Sequence, residues 1–400
     1  MSKRLHIKKE VLRAVYFNDS LSCAEISERI EKSIPTTMSI LSELMKDEII
    51  EEAGYAQSSG GRRPITYSAK ADAFYIVSVA MDQLITKIAI LNFKNEIVSK
   101  VFEYDLVLSQ NEQALKNLTE YIKESIKKSA VSTNKILGIG IGMPGFVDIK
   151  KGINYSYIPS GHETIASYIY RNLNIPVYIE NDSTLIALYE QKFGTTVGDH
   201  NAMVVNINWG IGLGMIIEGQ IYRGYNGFAG EFSHIPFFNN KKICYCGKYG
   251  CLETEASLQV LVEKVNDKLR AGTIPSSLEL LTQRNEEENV AKIAEAAMNG
   301  DKLVLETISE IGYDLGRASA ILIHIFNPEK IVFSGRGALF GDLWLPSVLQ
   351  GINENSIPRL AEATKVVVSK IGANAELLGA AALVLENGTK VLTNNTIFEH

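Results

Sequence analysis

Cys244-Tyr245-Cys246-Gly247-Lys248-Tyr249-Gly250-Cys251-Leu252-Glu253, with Ala229-Gly230-Glu231-Phe232-Ser233-His234 upstream, is the stretch on which the reading of this chain turns. Three of the four cysteines of the protein fall within these ten residues, and His234 precedes the first of them by ten positions. Three thiolates and one imidazole make a closed tetrahedral set for zinc, and closed sets are structural rather than catalytic. The C-x-C-x4-C spacing lets one tight, glycine-bearing loop turn its sulfurs toward a single point. The expected ligands are His234, Cys244, Cys246 and Cys251, holding a structural Zn2+. Glu231 and Glu253 bracket the set, so a metal knot here fixes two acids and turns a loop into a rigid site wall.

Outward from the knot, the chain reads as a soluble globular protein. Its 400 residues exceed the usual single-domain size, so two or three domains are expected. With 46% hydrophobic and 22% charged residues the composition is ordinary. No apolar run approaches the roughly 20 residues of a membrane span. The basic start Met1-Ser2-Lys3-Arg4-Leu5-His6 leads into an amphipathic stretch rather than a signal-peptide core. Scarce, clustered cysteine favours metal ligation in a reducing compartment over a disulfide framework, so a cytoplasmic location is expected. Residues 1–70 carry 11 Lys and Arg against 10 Asp and Glu, leaving 29 against 36 for the remainder. A nearly neutral head on an acidic body is a weak pointer to nucleic-acid contact by the head.

The head itself is more specific. Leu5, Val11, Leu12, Val15 and Tyr16 recur at helical spacing and predict a first helix. Ser22 is placed to cap a short second helix through Cys23, Ile26 and Ile30. Ser33 and Pro35 start a third, with Ile40, Leu41 and Leu44 inward and Thr36, Thr37, Ser39 and Ser42 outward. Two strands then flank Ser58-Ser59-Gly60-Gly61-Arg62-Arg63-Pro64. This is the winged helix-turn-helix plan, whose third helix enters the major groove of double-stranded DNA. Thr36, Thr37 and Ser39 are the expected contacts from that helix. Arg62 and Arg63 at the wing tip are expected to enter a minor groove, where narrow A·T tracts attract arginine. Cys23 reads as a small core residue.

From about residue 71 the pattern is α/β. Stretches 75–81, 85–93 and 97–104 predict an antiparallel meander, followed by a helix over 111–128 and a buried strand over 136–142. A strand over 177–179 leads to a helix over 183–193, and strands restart over 202–207, 214–218 and 220–223. Helices over 254–270, 288–298 and 301–326, a strand over 331–334 and a closing helix over 373–385 complete the chain. A meander plus helices, appearing twice, predicts two lobes with a ligand cleft between them. Glycine-rich segments 138–145 and 208–214, with Glu180-Asn181-Asp182 after a buried strand, are the expected cleft linings. Paired hydrogen-bonding side chains of this kind suit the vicinal hydroxyls of a sugar, and Asp182 equally suits a helix cap.

At Gly142-Met143-Pro144-Gly145-Phe146-Val147-Asp148, Glu180-Asn181-Asp182, Arg223-Gly224, Gly227-Phe228-Ala229-Gly230-Glu231, the cysteine knot and Ala375-Glu376-Leu377-Leu378-Gly379-Ala380-Ala381, the chain resembles the ROK family of bacterial repressors and sugar kinases. That resemblance implies an actin-like body of two ribonuclease-H-like lobes, an ATPase-type fold, behind the winged helix-turn-helix. It places the head at 1–70, the first lobe at 71–186 with 375–400, and the second, zinc-bearing lobe at 187–374. It also implies sugar contacts at Asn181, Asp182, Glu231, His234 and Glu253, and a general-base role for Asp182 were the chain a kinase. The departures argue otherwise. Where the kinases have Asp-x-Gly-Gly-Thr-Lys, this chain has Asp82-Gln83-Leu84-Ile85-Thr86-Lys87, and where they have Gly-Thr-Gly it has Asn208-Trp209-Gly210. Phosphate needs unobstructed backbone amides, and Leu84, Ile85, Asn208 and Trp209 crowd them. Ser233 stands where the family usually has glycine.

The expectation is therefore a sugar-responsive repressor with no catalytic residues, acting as a homodimer or dimer of dimers on an operator. An ATP-dependent sugar kinase with an added head, a zinc sensor and a protein-docked corepressor are the rival readings.

Overall fold

The structure is a computed structural model describing residues 3–56, 63–158, 163–281 and 286–388. Local chemistry starts the head. Helix Lys3–Tyr16 buries Val11, Leu12, Val15 and Tyr16 at the predicted spacing. Ser22 caps Cys23–Arg29 reciprocally: its hydroxyl accepts from the Glu25 N–H, and the Glu25 carboxylate accepts from the Ser22 N–H at 2.7 Å. Ser33 caps Ile34–Lys46, with Pro35 in the first turn. Strands Leu21–Ser22, Ile65–Ala69 and Ile50–Tyr55 form an antiparallel sheet with Ile65–Ala69 central, and a bulge falls between Glu52 and Gly54. This is a winged helix-turn-helix. Its core joins Val11, Ile26, Ile40, Leu41, Leu44 and Tyr67, all buried.

After it in the chain come two mixed sheets of five strands, each with helices, the two-lobed body that the family resemblance implies. The first runs Val177–Asn181, Ile136–Met143, Tyr75–Met81, Ile85–Asn92, Phe102–Asp105, with the first two junctions parallel and the last two antiparallel. The expected third meander strand is shorter than its apolar pattern. Ser99 explains this, because its Oγ rather than a backbone carbonyl accepts the Ile90 N–H at 2.9 Å. The second sheet runs Gln220–Ile221, Ile211–Ile217, Ala202–Ile207, Lys330–Ser334, Lys365–Val368. Here the helix expected over 254–270 breaks at Ser257, whose hydroxyl caps Leu258–Ala271. Helices Ile165–Leu173 and Leu345–Asn355 and strand Lys365–Val368 went unread in the sequence.

Contacts divide the chain into two compact units: residues 1–182 with 377–400, and residues 183–376. The closing helix Ala375–Asn387 packs on the first sheet at Gly140. A Cβ on Gly140 would sit 2.0 Å from the Ala380 carbonyl oxygen, so only glycine allows that approach. The head belongs to the same unit. Tyr16 is buried against Phe93 with ring centroids 5.4 Å apart, and its hydroxyl donates to Asn95 Oδ1 at 3.2 Å. Arg13 pairs with Glu386 of the closing helix, and Lys94 with Glu51 at 2.8 Å. Among the described residues no helix is long and apolar enough to cross a membrane.

Candidate functional site

In the second unit, His234, Cys244, Cys246 and Cys251 come together as the spacing predicts, their donor atoms within 4.8 Å of one another. Cys246 and Cys251 sulfurs lie 3.6 Å apart, and Cys244 Sγ lies 3.6 Å from His234 Nδ1. Zinc–sulfur bonds of about 2.3 Å in a tetrahedron place sulfurs about 3.8 Å apart, so the cluster has the dimensions of a metal site. Burial pushes the Cys251 thiol up to about 12, raises the Cys244 thiol and lowers the His234 imidazole. Cys246, by contrast, is lowered against its burial by hydrogen bonds from the Lys248 backbone, Cys244 and Cys251; a dication at this point would stabilise all three thiolates.

The loop geometry follows from the sequence. Gly250 has φ +72°, and a Cβ there would sit 2.0 Å from the Phe238 carbonyl oxygen. Gly247 turns the chain between the second and third sulfurs with its N–H on the Cys244 carbonyl. Glu255, in the short helix Glu253–Ala256, ties the loop down by pairing with Lys242 at 2.9 Å and accepting from the Asn240 amide at 2.8 Å. Arg317, from the long helix Lys302–Phe326, lies 4.6 Å over the Phe237 ring and fixes the strand-like entry to the knot.

The two acids bracketing the knot differ. Glu231 is partly exposed, with Oε2 3.7 Å from His234 Nε2. Glu253 accepts the Ile211 N–H at 3.1 Å and lies against Gly210, linking the knot to the 208–214 loop. In the other unit, Asn181 ends strand Val177–Asn181 and Asp182 begins helix Asp182–Lys192 with no loop between. They therefore sit at the carboxyl end of a strand parallel to Ile136–Met143, the end at which α/β sheets bind ligands. The Asn181 amide donates to the Gly145 carbonyl at 3.2 Å, and Glu180 is buried with Oε1 accepting the Asn181 N–H.

The loops that differ from the kinase pattern are closed on themselves. The Asp82 carboxylate accepts the N–H groups of Leu84 at 2.8 Å and Ile85 at 2.6 Å. In the other unit, the Asn208 N–H goes to the Gly210 carbonyl, and Asn208 Oδ1 accepts the Arg336 N–H at 3.1 Å. Arg336 itself pairs with Glu287 at 3.1 Å.

On the head, the third helix corrects one expectation. Thr37 is fully buried, its hydroxyl donating to the Ser33 carbonyl at 3.2 Å, so it does not face outward. Position 37 lies on the same helical stripe as Ile40, Leu41 and Leu44, and that stripe overrides the hydroxyl. Thr36 is half-buried with its hydroxyl 2.9 Å from that of Ser33, while Ser39 and Ser42 are exposed. The outward face also carries Ile34, 55% exposed, and Met38, neither of which the sequence reading assigned a role. Arg4, from the first helix, donates to Ser39 Oγ at 3.1 Å and pairs with Glu43, which puts a cation on this face. Arg63 is exposed, and Arg62 lies outside the described residues.

A DNA-reading head on a sugar-kinase-type body that carries a thiol–imidazole cluster defines a class of two-part regulators. The chain belongs to the ROK family: the ROK family model matches residues 79–387, and a winged helix-turn-helix DNA-binding model matches 4–51. It is 29% identical to the xylose repressor of Caldicellulosiruptor bescii over 384 residues, 94% of each chain. It is 26% identical to the DNA-binding transcriptional dual regulator NagC of Escherichia coli, over 95% of this chain and 91% of that one. The crystal structure of a ROK family transcriptional regulator, a homologue of the E. coli MLC protein, aligns with TM-score 0.77 at 28% identity over 96% of this chain and 97% of that one. A Streptomyces griseus ROK glucokinase, solved with glucose and AMPPNP, shares the body fold with TM-score 0.63 over 77% of this chain and 98% of its own.

Proposed function

We propose that this protein is a sugar-responsive transcriptional repressor in which a sugar or sugar phosphate relieves operator binding. The observation that carries this reading is the pairing of a winged head with a kinase-type body; the Leu84, Ile85 and Asn208 N–H groups, in the loops that depart from the kinase pattern, are bonded within the protein, which supports it. The xylose repressor and the transcriptional dual regulator to which it is similar along nearly their whole length support it. Asn181, Asp182, Glu231, His234 and Glu253 are the proposed readers of sugar hydroxyls. Carboxylates and amides suit this role because each accepts or donates in pairs to vicinal hydroxyls. His234, Cys244, Cys246 and Cys251 are the proposed ligands of a structural Zn2+, which holds the acids beside it in place. Thr36, Ser39 and the wing arginines Arg62 and Arg63 are the proposed DNA contacts, on the head of a cytoplasmic homodimer reading a palindromic site.

The test is reciprocity. Sugar that weakens binding to a duplex selected by the protein from a random pool must itself bind more weakly, by the same factor, when that duplex is present. Titrations of D-xylose, D-glucose, N-acetyl-D-glucosamine and its 6-phosphate, with and without duplex, give both numbers. Equal sugar affinity in the two cases sinks the mechanism. A coupled ADP-release assay on the same panel addresses catalysis. No turnover is expected, and turnover abolished by Asp182→Asn would make the protein a kinase.

A further inference from the structure

The outer nitrogen of His234 is already engaged. His234 is mostly buried, and its Nδ1 faces the Cys244 sulfur, the side on which a metal would lie. Its Nε2 lies 3.0 Å from the hydroxyl of Tyr245, and the two rings meet edge to face at 82° with centroids 5.1 Å apart. Tyr245 sits between two of the thiols, Cys244 and Cys246, so the knot fixes its backbone. Its side chain is nonetheless 67% exposed. The contact thus joins an anchored imidazole to a phenol that lies largely in solvent.

A histidine that binds metal through Nδ1 is neutral and carries its proton on Nε2, and that N–H normally donates to an outer partner that fixes the ring. Here the partner is the Tyr245 hydroxyl. One imidazole N–H makes one well-aligned hydrogen bond, so a ligand hydroxyl reaching Nε2 takes the place the phenol now holds.

We infer that Tyr245 is an internal competitor of the effector: its hydroxyl caps His234 Nε2 in the free protein and is displaced by a sugar hydroxyl on binding. The inference rests on the reading of His234 as a sugar contact. It assigns Tyr245 a role distinct from ligand or metal contact, that of setting how tightly a sugar must bind before it is sensed. Because the ring is largely exposed, its departure uncovers little apolar surface, and the hydrogen bond to His234 and the edge-to-face ring contact are parts of the cost of displacement. A ligand able to donate several further hydrogen bonds to nearby acids offsets this cost, while one offering a single hydroxyl does not. Tyr245 thereby favours polyhydroxylated ligands over small alcohols.

The experiment uses full-length, zinc-loaded Tyr245→Phe, which keeps the ring and removes the hydroxyl. Titration of D-xylose, D-glucose, N-acetyl-D-glucosamine and its 6-phosphate into both proteins is expected to show about threefold to tenfold tighter binding to the variant, the value of one net hydrogen bond. Metal content is expected to be unchanged. Protein labelled with 15N-histidine supplies a sugar-free readout. The wild type is expected to show a protected Nε2–H resonance that broadens by solvent exchange in the variant. Unchanged or weaker sugar binding by the variant overturns the competitor role while leaving the sugar reading intact. An Nε2–H equally protected in both proteins overturns the contact itself. If no sugar in the panel binds either protein, the sugar reading fails and the inference falls with it.

Discussion

The head and the cysteine knot are built in different ways. In the head, short-range signals and a shared apolar core agree: Ser22 and Ser33 cap their helices, and Ile26, Ile40, Leu41 and Leu44 are buried with almost no exposure. The knot has no comparable apolar core of its own. Its loop from Asn240 to Gly250 exposes Ile243, Tyr245 and Tyr249, and its ladder contacts are isolated bridges, Ile243 with Tyr249 and Pro236 with Cys251. A segment with this little apolar burial relies on polar contacts, such as Glu255 with Lys242 and Asn240, and on donor atoms that converge on one point where a metal could bind. The head is thus specified by periodicity, and the knot by chemistry that reaches across ten residues from His234 to Cys244.

The sharpest way to break this contrast is to remove one knot ligand. Cys251→Ser in the full chain is expected to lose bound zinc, since even outer-shell changes cost about 10–100-fold in metal affinity, and thereby to weaken binding of whichever sugar the wild type takes. Sugar-free operator affinity is expected to stay within about twofold, because the head keeps its own core. Metal analysis, sugar titration and duplex binding check the three parts. A variant that binds sugar normally without metal would show that the loop is held by its protein contacts alone.

The matching change in the head is Leu41→Ala. Leu41 is fully buried, so truncation is expected to cost about 2–5 kcal/mol, the transfer term plus the cavity left behind. Denaturant unfolding followed by operator binding checks it. Here the expected pattern reverses: DNA binding fails first, while zinc content and sugar affinity persist. Loss of sugar binding as well would mean that the head's core also maintains the rest of its unit, through contacts such as Tyr16 with Phe93 and Arg13 with Glu386.

The same contrast explains what was legible in the sequence. Caps, the three head helices and the four-residue donor set were readable because each depends on residue type at a short, fixed spacing. The short strand Phe102–Asp105 was misjudged because apolar pattern cannot show that a Ser99 hydroxyl takes a ladder position. Helix Ile165–Leu173 buries only Ile165 and Ile169, and strand Lys365–Val368 has four residues, so neither gives a period room to stand out. Of the proposed sugar contacts, Asn181 and Asp182 stood out as paired polar groups after a buried strand, while Glu231, His234 and Glu253 were nameable only through family resemblance. The Tyr245 contact had no sequence signal, since a tyrosine between two cysteines reaches His234 only once the loop has folded.

The smallest effect separates two hydroxyls that the sequence placed together. Ser39 is exposed beside Arg4 on the outward face of the third helix, whereas the Thr37 hydroxyl is buried on the Ser33 carbonyl. Ser39→Ala is expected to weaken operator binding by about threefold to tenfold with unfolding stability unchanged, as loss of one hydrogen bond to DNA requires. Thr37→Val keeps the β-branched shape and is expected to leave operator affinity unchanged while lowering stability by about 1 kcal/mol, the net value of its internal bond. The two variants therefore move different observables, affinity in one and stability in the other. If Thr37→Val instead weakened DNA binding at full stability, the third helix would have to rotate about its axis on the operator, turning toward DNA the stripe that here faces the core.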